Sequence, residues 1–162
     1  MRYSSLGFTL IELMVVIVMM GVLVSMVHIS QGDKRARDAR QEAQIMLALM
    51  QGLREKAVLE GQEYGLRLEP ESYQQMRLQG STWQAIEAPV KLPAGVLLTL
   101  VLEGRLHSLA AGEQTPQLLW LSSDENTPFA LHFESPPLRW QSVYSDGLGN
   151  PLLEASEVTD AR

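Results

Sequence analysis

The 162-residue sequence contains no cysteine. A disulfide framework and a thiolate metal site are both excluded, and thiol usage gives no clue to compartment. Histidine is scarce: His28, His107 and His132 lie far apart and share no ligand-like spacing. A phosphate-cradling glycine loop is missing, because Gly147-Leu148-Gly149 lacks a third glycine and a following helix. Ser122 and Ser123 have no histidine beside them in a nucleophile motif. Asp124-Glu125-Asn126 clusters oxygen ligands that suit calcium, but the EF-hand spacing is absent and the segment reads as a solvated turn. No catalytic constellation emerges, so no enzyme activity, cofactor or metal is expected. Basic charge is short in the second part of the chain. Over residues 61–162, thirteen acids face six bases, a balance of −7. Such a surface repels phosphate backbones, so nucleic acid is not an expected partner.

Apolar residues make up 46% of the chain, close to the globular average, which supports one folded domain with a modest core. They are spread unevenly. Residues 8–29, FTLIELMVVIVMMGVLVSMVHI, contain one acid, Glu12, and one histidine near the far end. As a helix they span about 33 Å, enough to cross a bilayer core. A helix of this length that is apolar all round does not suit the core of so small a protein. A removed secretory signal fits poorly too, since the apolar stretch is too long and no Ala-x-Ala-like site follows. The polar leader 1–7 meets the apolar run abruptly at Gly7-Phe8.

Glu12 requires a physical account. A carboxylate deep in a bilayer costs about 2.5–3.5 kcal/mol or more on insertion scales, so it normally has a partner. A cut after Gly7 gives Phe8 a new α-amino group one helical turn before Glu12. That cation can pair with the carboxylate, within one chain or between neighbours. The first turn of the new helix also favours an anion at its positive end.

GFTLIELMVV at 7–16 resembles the type IV prepilin signal. In that family a dedicated aspartyl prepilin peptidase cuts after the glycine and N-methylates the new first residue. The resemblance implies cleavage after Gly7, methylation at Phe8, and an assembly role for Glu12. Lys34, Arg35, Arg37 and Arg40 follow the span. The positive-inside rule places that side in the cytoplasm, whereas the family places it outside. We follow the family, in which case the basic turn faces lipid headgroups, acids on a neighbouring subunit, or solvent.

Beyond the span the helical pattern continues over 30–60. Ala39, Ala43, Met46, Met50, Leu53 and Ala57 recur at spacings of four and three, with Leu47, Leu49 and Val58 broadening the face. Arg40, Gln44, Gln51, Arg54 and Glu55 form the polar side. Gly61 can stop the helix, and Gly32 and Asp33 can bend it. After Gly61 the period changes. Residues 64–68, 73–78 and 83–86 read as a short meander; 96–102 reads as a buried strand; 118–121, 129–133 and 138–143 are further strands. The segment 147–151 is a turn, and the polar tail 156–162 frays.

The expected fold class is α+β. It has a leader (1–7), a transmembrane helix (8–29), its amphipathic continuation (30–60) and an antiparallel, mostly β domain (61–155) packed on that helix. LWLSSDENTPFALHF at 119–133, Trp83, and DGLG at 146–149 resemble the H-type minor pseudopilins of type II secretion. That resemblance implies a single-pass inner-membrane precursor with a periplasmic domain. It implies partnership with other pseudopilins, major and minor, with the prepilin peptidase and with inner-membrane lipid. The implied work is export of folded proteins across the outer membrane, as a structural subunit of the pseudopilus. The alternative is a type IV pilus minor pilin serving pilus assembly or DNA uptake, which calls for a basic patch that the −7 balance does not favour. A membrane-anchored enzyme has no motif to support it.

Overall fold

The computed structural model describes residues 9–154 and 159–160, the side chains of 24–33 and 159–160 excepted. The chain divides into two compact units, Met1–Lys34 and Arg35–Arg162. A single helix, α1 (Leu10–Glu60), contributes to both. It contains no proline; all eight prolines of the chain come later, so nothing removes a donor from the i to i−4 ladder.

In the first unit, the described helix side chains from Leu10 to Leu23 are all exposed, the large apolar ones by 41–78%. Among the described residues no helix is long and apolar enough to cross a membrane. The apolar run with placed side chains ends at Leu23, and the rest of the expected 8–29 span lies outside the described side chains.

In the second unit the amphipathic pattern decides which side of α1 is covered. Ala39, Ala43, Met46, Met50, Leu53 and Ala57 are all fully buried, and Ala36 extends the stripe by one turn. The alanines let the helix backbone approach the sheets closely, while Met46, Met50 and Leu53 fill the gaps between. Burying each of those three large side chains contributes about 1.5–3 kcal/mol. Leu47 and Leu49 are partly buried against the core, but Val58 is exposed and does not broaden the face. Gly61 ends the helix with φ +62°, and the Gln62 amide donates back to the Ala57 carbonyl at 3.2 Å. This six-to-one bond satisfies a carbonyl that the helix leaves open.

Among the described residues eleven strands form two antiparallel sheets. The first contains β1 (Tyr64–Glu69), β2 (Ser72–Gln79), β3 (Thr82–Ala85), β4 (Val90–Lys91) and β7 (Leu118–Trp120), in the order β3-β2-β1-β7 with β4 on β2. The expected meander is its β1-β2-β3 part. The second contains β5 (Leu97–Leu102), β6 (Arg105–His107), β8 (Phe129–Ser135), β9 (Leu138–Ser145), β10 (Leu152–Glu154) and β11 (Thr159–Asp160). Its order is β10-β9-β8-β5-β6, with β11 on β9. One core unites the buried side of α1 with Tyr64, Leu66 and Leu68 of the first sheet and Leu98, Leu100, Leu131, Phe133 and Val143 of the second.

Two departures from expectation are physical. The segment 96–102 is apolar on both faces, yet only Val96, Leu98 and Leu100 are buried; Leu97, Thr99 and Val101 are half-exposed on the far side of the sheet. Strand alternation therefore governs a run that composition made look wholly internal. Within the tail 156–162, Thr159 and Asp160 pair with Arg139 and Leu138.

Gly65 in β1 marks a close approach. A Cβ there would lie 2.5 Å from Cγ of Pro116 and 3.2 Å from the Trp83 ring. The segment leading to β7 thus crosses directly over β1 at a point where only glycine fits.

Candidate functional site

Three groups of residues were candidates from sequence. The first is the N-terminal turn. Gly7 and Phe8 lie outside the described residues. Glu12 sits in the first turn of α1, its amide donating to the Thr9 carbonyl at 3.0 Å, and the Leu13 amide shares that acceptor at 3.3 Å. Thr9 is therefore the residue at which the helix begins. The Glu12 carboxylate is exposed on the described surface and is surrounded in sequence by exposed Leu10, Ile11, Leu13 and Met14. An unpartnered apolar surface of this extent marks a contact with lipid or with another chain.

The second group is the Asp124-Glu125-Asn126 turn. Asp124 adopts φ +74° and accepts from Nη2 of Arg54 at 2.6 Å. Nη1 of the same guanidinium donates to Oδ1 of Asn150 at 2.7 Å. One helix side chain thus holds two loops that are 26 residues apart. The loops also hold each other. Asn126 donates its backbone amide to the Gly147 carbonyl at 3.0 Å and its side-chain amide to the Gly149 carbonyl at 3.2 Å. Its Oδ1 accepts from the buried Ser145 hydroxyl at 2.6 Å, and that hydroxyl in turn accepts from the Gly147 amide at 3.1 Å. Asn126 is buried, and its donors and acceptor are spent on this interlock. The Asp124 carboxylate is engaged by a cation. The turn is therefore a structural clasp, and among the described residues no group of three or more His, Asp or Glu side chains is arranged to hold a metal.

Sequence reasoning placed Arg54 only on the polar side of α1 and missed its role as the hub of this clasp. The available signal was its position next to the apolar stripe, adjoining Leu53 and four residues after Met50.

The third group surrounds His132 on the outer side of the second sheet. His132 is buried, and its Nδ1 lies 2.8 Å from the Ser142 hydroxyl on the neighbouring strand. Burial pushes its pKa below the usual histidine value, and the nearby Arg139 guanidinium adds to the effect. Beside it, Glu134 accepts from the Thr99 hydroxyl at 3.0 Å and from Nε of Arg139 at 3.1 Å. A satisfied polar layer of this kind stabilises register and offers no open ligand position. His107 lies opposite Leu100 on the next strand pair, facing the other side of the sheet. Ser122 donates to Glu63 and Ser123 to Glu125, so neither meets a histidine.

The model of the prokaryotic N-terminal methylation motif matches residues 2–27. Type II secretion system protein H of Pseudomonas aeruginosa is 38% identical over 168 residues, covering 94% of this chain and 98% of that protein. This chain belongs to the type II secretion system protein H family. Protein H of Aeromonas hydrophila is 31% identical, covering 80% of this chain and 81% of that protein. The structure of the minor pseudopilin EpsH from the type 2 secretion system of Vibrio cholerae superposes with a TM-score of 0.63 at 26% identity. It covers 76% of this chain and 99% of that structure. The chain is accordingly a minor pseudopilin of type II secretion, with the pilin-like α+β arrangement of an N-terminal helix followed by antiparallel sheets. A type IV pilus assignment is not favoured by these relatives.

Proposed function

We propose that this minor pseudopilin is made as an inner-membrane precursor, cut after Gly7, N-methylated on Phe8, and built into the pseudopilus through Glu12. Residues 8–29 span the membrane, 30–60 continue the helix, and the β domain from 61 onward stands in the periplasm. Its contribution is structural. It joins other pseudopilins in a filament that helps move folded proteins across the outer membrane. It carries out no chemistry of its own, binds no cofactor, and has no affinity for nucleic acid.

One observation carries this reading: a single carboxylate, Glu12, in the first turn of a helix whose large side chains from there to Leu23 are all apolar and exposed. A surface so apolar has to be covered, and lipid covers it before assembly. In the assembled filament a neighbouring helix replaces lipid. The Phe8 amino group of that neighbour then neutralises the one charge that lipid tolerates poorly. The matched methylation motif supports the processing step, because it extends across the same boundary.

The test replaces the carboxylate in a strain lacking the native gene. Glu12→Leu makes the span more apolar, so insertion should continue. Cleavage at Gly7 should continue as well. The Phe8 amine of the neighbour loses its counter-ion in a low-dielectric interface, which is costly. The variant should be membrane-bound and processed, yet should fail to restore secretion and should no longer co-purify with neighbouring pseudopilins. Normal secretion would reduce Glu12 to a first-turn acid favoured by the helix dipole, worth about 0.3–1 kcal/mol.

A further inference from the structure

The register of the second sheet aligns five apolar side chains in one row on the face turned away from the core. Leu106 of β6 lies opposite Val101 of β5, Val101 opposite Ala130 of β8, Ala130 opposite Tyr144 of β9, and Tyr144 opposite Leu152 of β10. The row crosses every strand of the sheet's main path. Leu106 is 74% exposed, Leu152 53% and Tyr144 41%; Val101 and Ala130 between them are half-buried. Next to it on the same face runs a polar row of Thr99, His132, Ser142 and Glu154. The stripe is therefore one side chain wide. With four inter-strand steps it is about 19 Å long.

We propose that this stripe is a docking site for the amphipathic helix of another pseudopilin subunit. The inference rests on the family reading above and adds the surface and the chemistry of the partner to it. A helix whose axis follows the row presents an apolar seam of matching width, and about 13 residues of it cover the stripe's length. A packed sheet face would need several apolar rows, and the neighbouring row here is polar. Charge adds a second constraint. Exposed Glu154 lies in the adjoining row, and exposed Glu103 and Asp146 stand where β5 and β9 end on the other side. Arg139 is engaged with Glu134, and Arg105 alternates to the opposite face from Leu106. The seam that fits is apolar along its centre and basic along its borders. Such a partner gains apolar burial along the row and complementary charge along both rims.

The full-length chain is expressed together with the remaining pseudopilins of its secretion system, carrying the photo-crosslinker p-benzoylphenylalanine in place of Leu106. Irradiation should yield a cross-link to a helical segment of another pseudopilin, beyond that subunit's apolar span, as located by mass spectrometry. In the same cells Tyr144→Asp should cut co-purification of that subunit at least tenfold, while the purified variant keeps a cooperative melting transition. A cross-link into the β domain of a partner, into a second copy of this chain or into lipid alone would overturn the assignment. So would Tyr144→Asp chains that retain the subunit at the wild-type level. If the wild-type chain captures no pseudopilin, the stripe and the reading as an assembling subunit fall together. If wild type and Tyr144→Asp capture equally, only the stripe falls.

Discussion

Replacing Arg54 with alanine should destabilise the β domain by about 2 kcal/mol, and the size follows from what the guanidinium touches. Its ion pair with Asp124 is short, at 2.6 Å, but Asp124 is 49% exposed, so solvent screens it and a surface-like contribution of about 0.5 kcal/mol is appropriate. The bond to Asn150 Oδ1 at 2.7 Å pairs a charged donor with a neutral acceptor and contributes about 1 kcal/mol. The aliphatic stem, which leaves Arg54 only 22% exposed, adds some tenths of a kcal/mol of packing. For a unit of this size, about 2 kcal/mol lowers the melting temperature by about 6–10 °C. All three tryptophans, Trp83, Trp120 and Trp140, lie in the β domain, so their fluorescence reports this transition in the full-length protein in detergent. Pairing Arg54→Ala with Asp124→Ala in a double-mutant cycle should give a coupling near the smaller figure, about 0.5 kcal/mol. A melting temperature within 1 °C of wild type for Arg54→Ala would show that the two loops hold each other without the helix, and the hub argument would fail.

Two further outcomes are expected from the fold. Gly65→Ala should cost about 1–3 kcal/mol, because the added methyl meets the Pro116 ring at 2.5 Å and the segment above β1 must shift; chemical denaturation reads this directly. His132 is held neutral by burial, with its pKa below the usual 6.5, so the unfolded chain takes up a proton that the native chain resists. Its contribution is therefore present above about pH 6.5 and is lost as pH falls below that value. The melting-temperature gap between wild type and His132→Gln should shrink in wild type's disfavour from pH 7.5 to pH 5.5, and a gap that widens as pH falls would contradict the assignment.

The elements that could be read from sequence were those with a strong period. The six buried positions from Ala39 to Ala57 follow from a four-and-three spacing, because a helix offers one side to a core and the pattern names it. The six longer strands, and the three-residue β7 with its all-apolar Leu-Leu-Trp, announced themselves by β-rich runs between prolines and glycines. The short strands β4, β6, β10 and β11, of two or three residues each, were not legible, since their pairing is imposed by neighbours and carries no periodicity of its own. The division into two sheets was hidden for the same reason: β5 joins β8, Thr99 pairing with His132 33 residues further on, through pairings that no local signal marks. Val58 was misplaced because apolar character alone was taken for burial, whereas its position beside exposed Leu59 puts it on the open side of the last turn. The methylation motif matched over residues 2–27, by contrast, is a linear pattern, and its ordered residues make it legible without any fold. The acid turn at 124–126 looked like a ligand cluster only because Arg54, 70 residues upstream, was not recognisable as its partner.

The mature N-terminus of the membrane-bound protein tests the central claim most directly. Intact-mass and peptide mass spectrometry of the protein purified from its own membranes should show a chain that begins with N-methylated Phe8 and lacks residues 1–7. Replacing Gly7 with a bulky residue should leave the full precursor in the same membranes. An intact Met1 in the wild-type protein, or a first residue beyond position 29, would contradict the account.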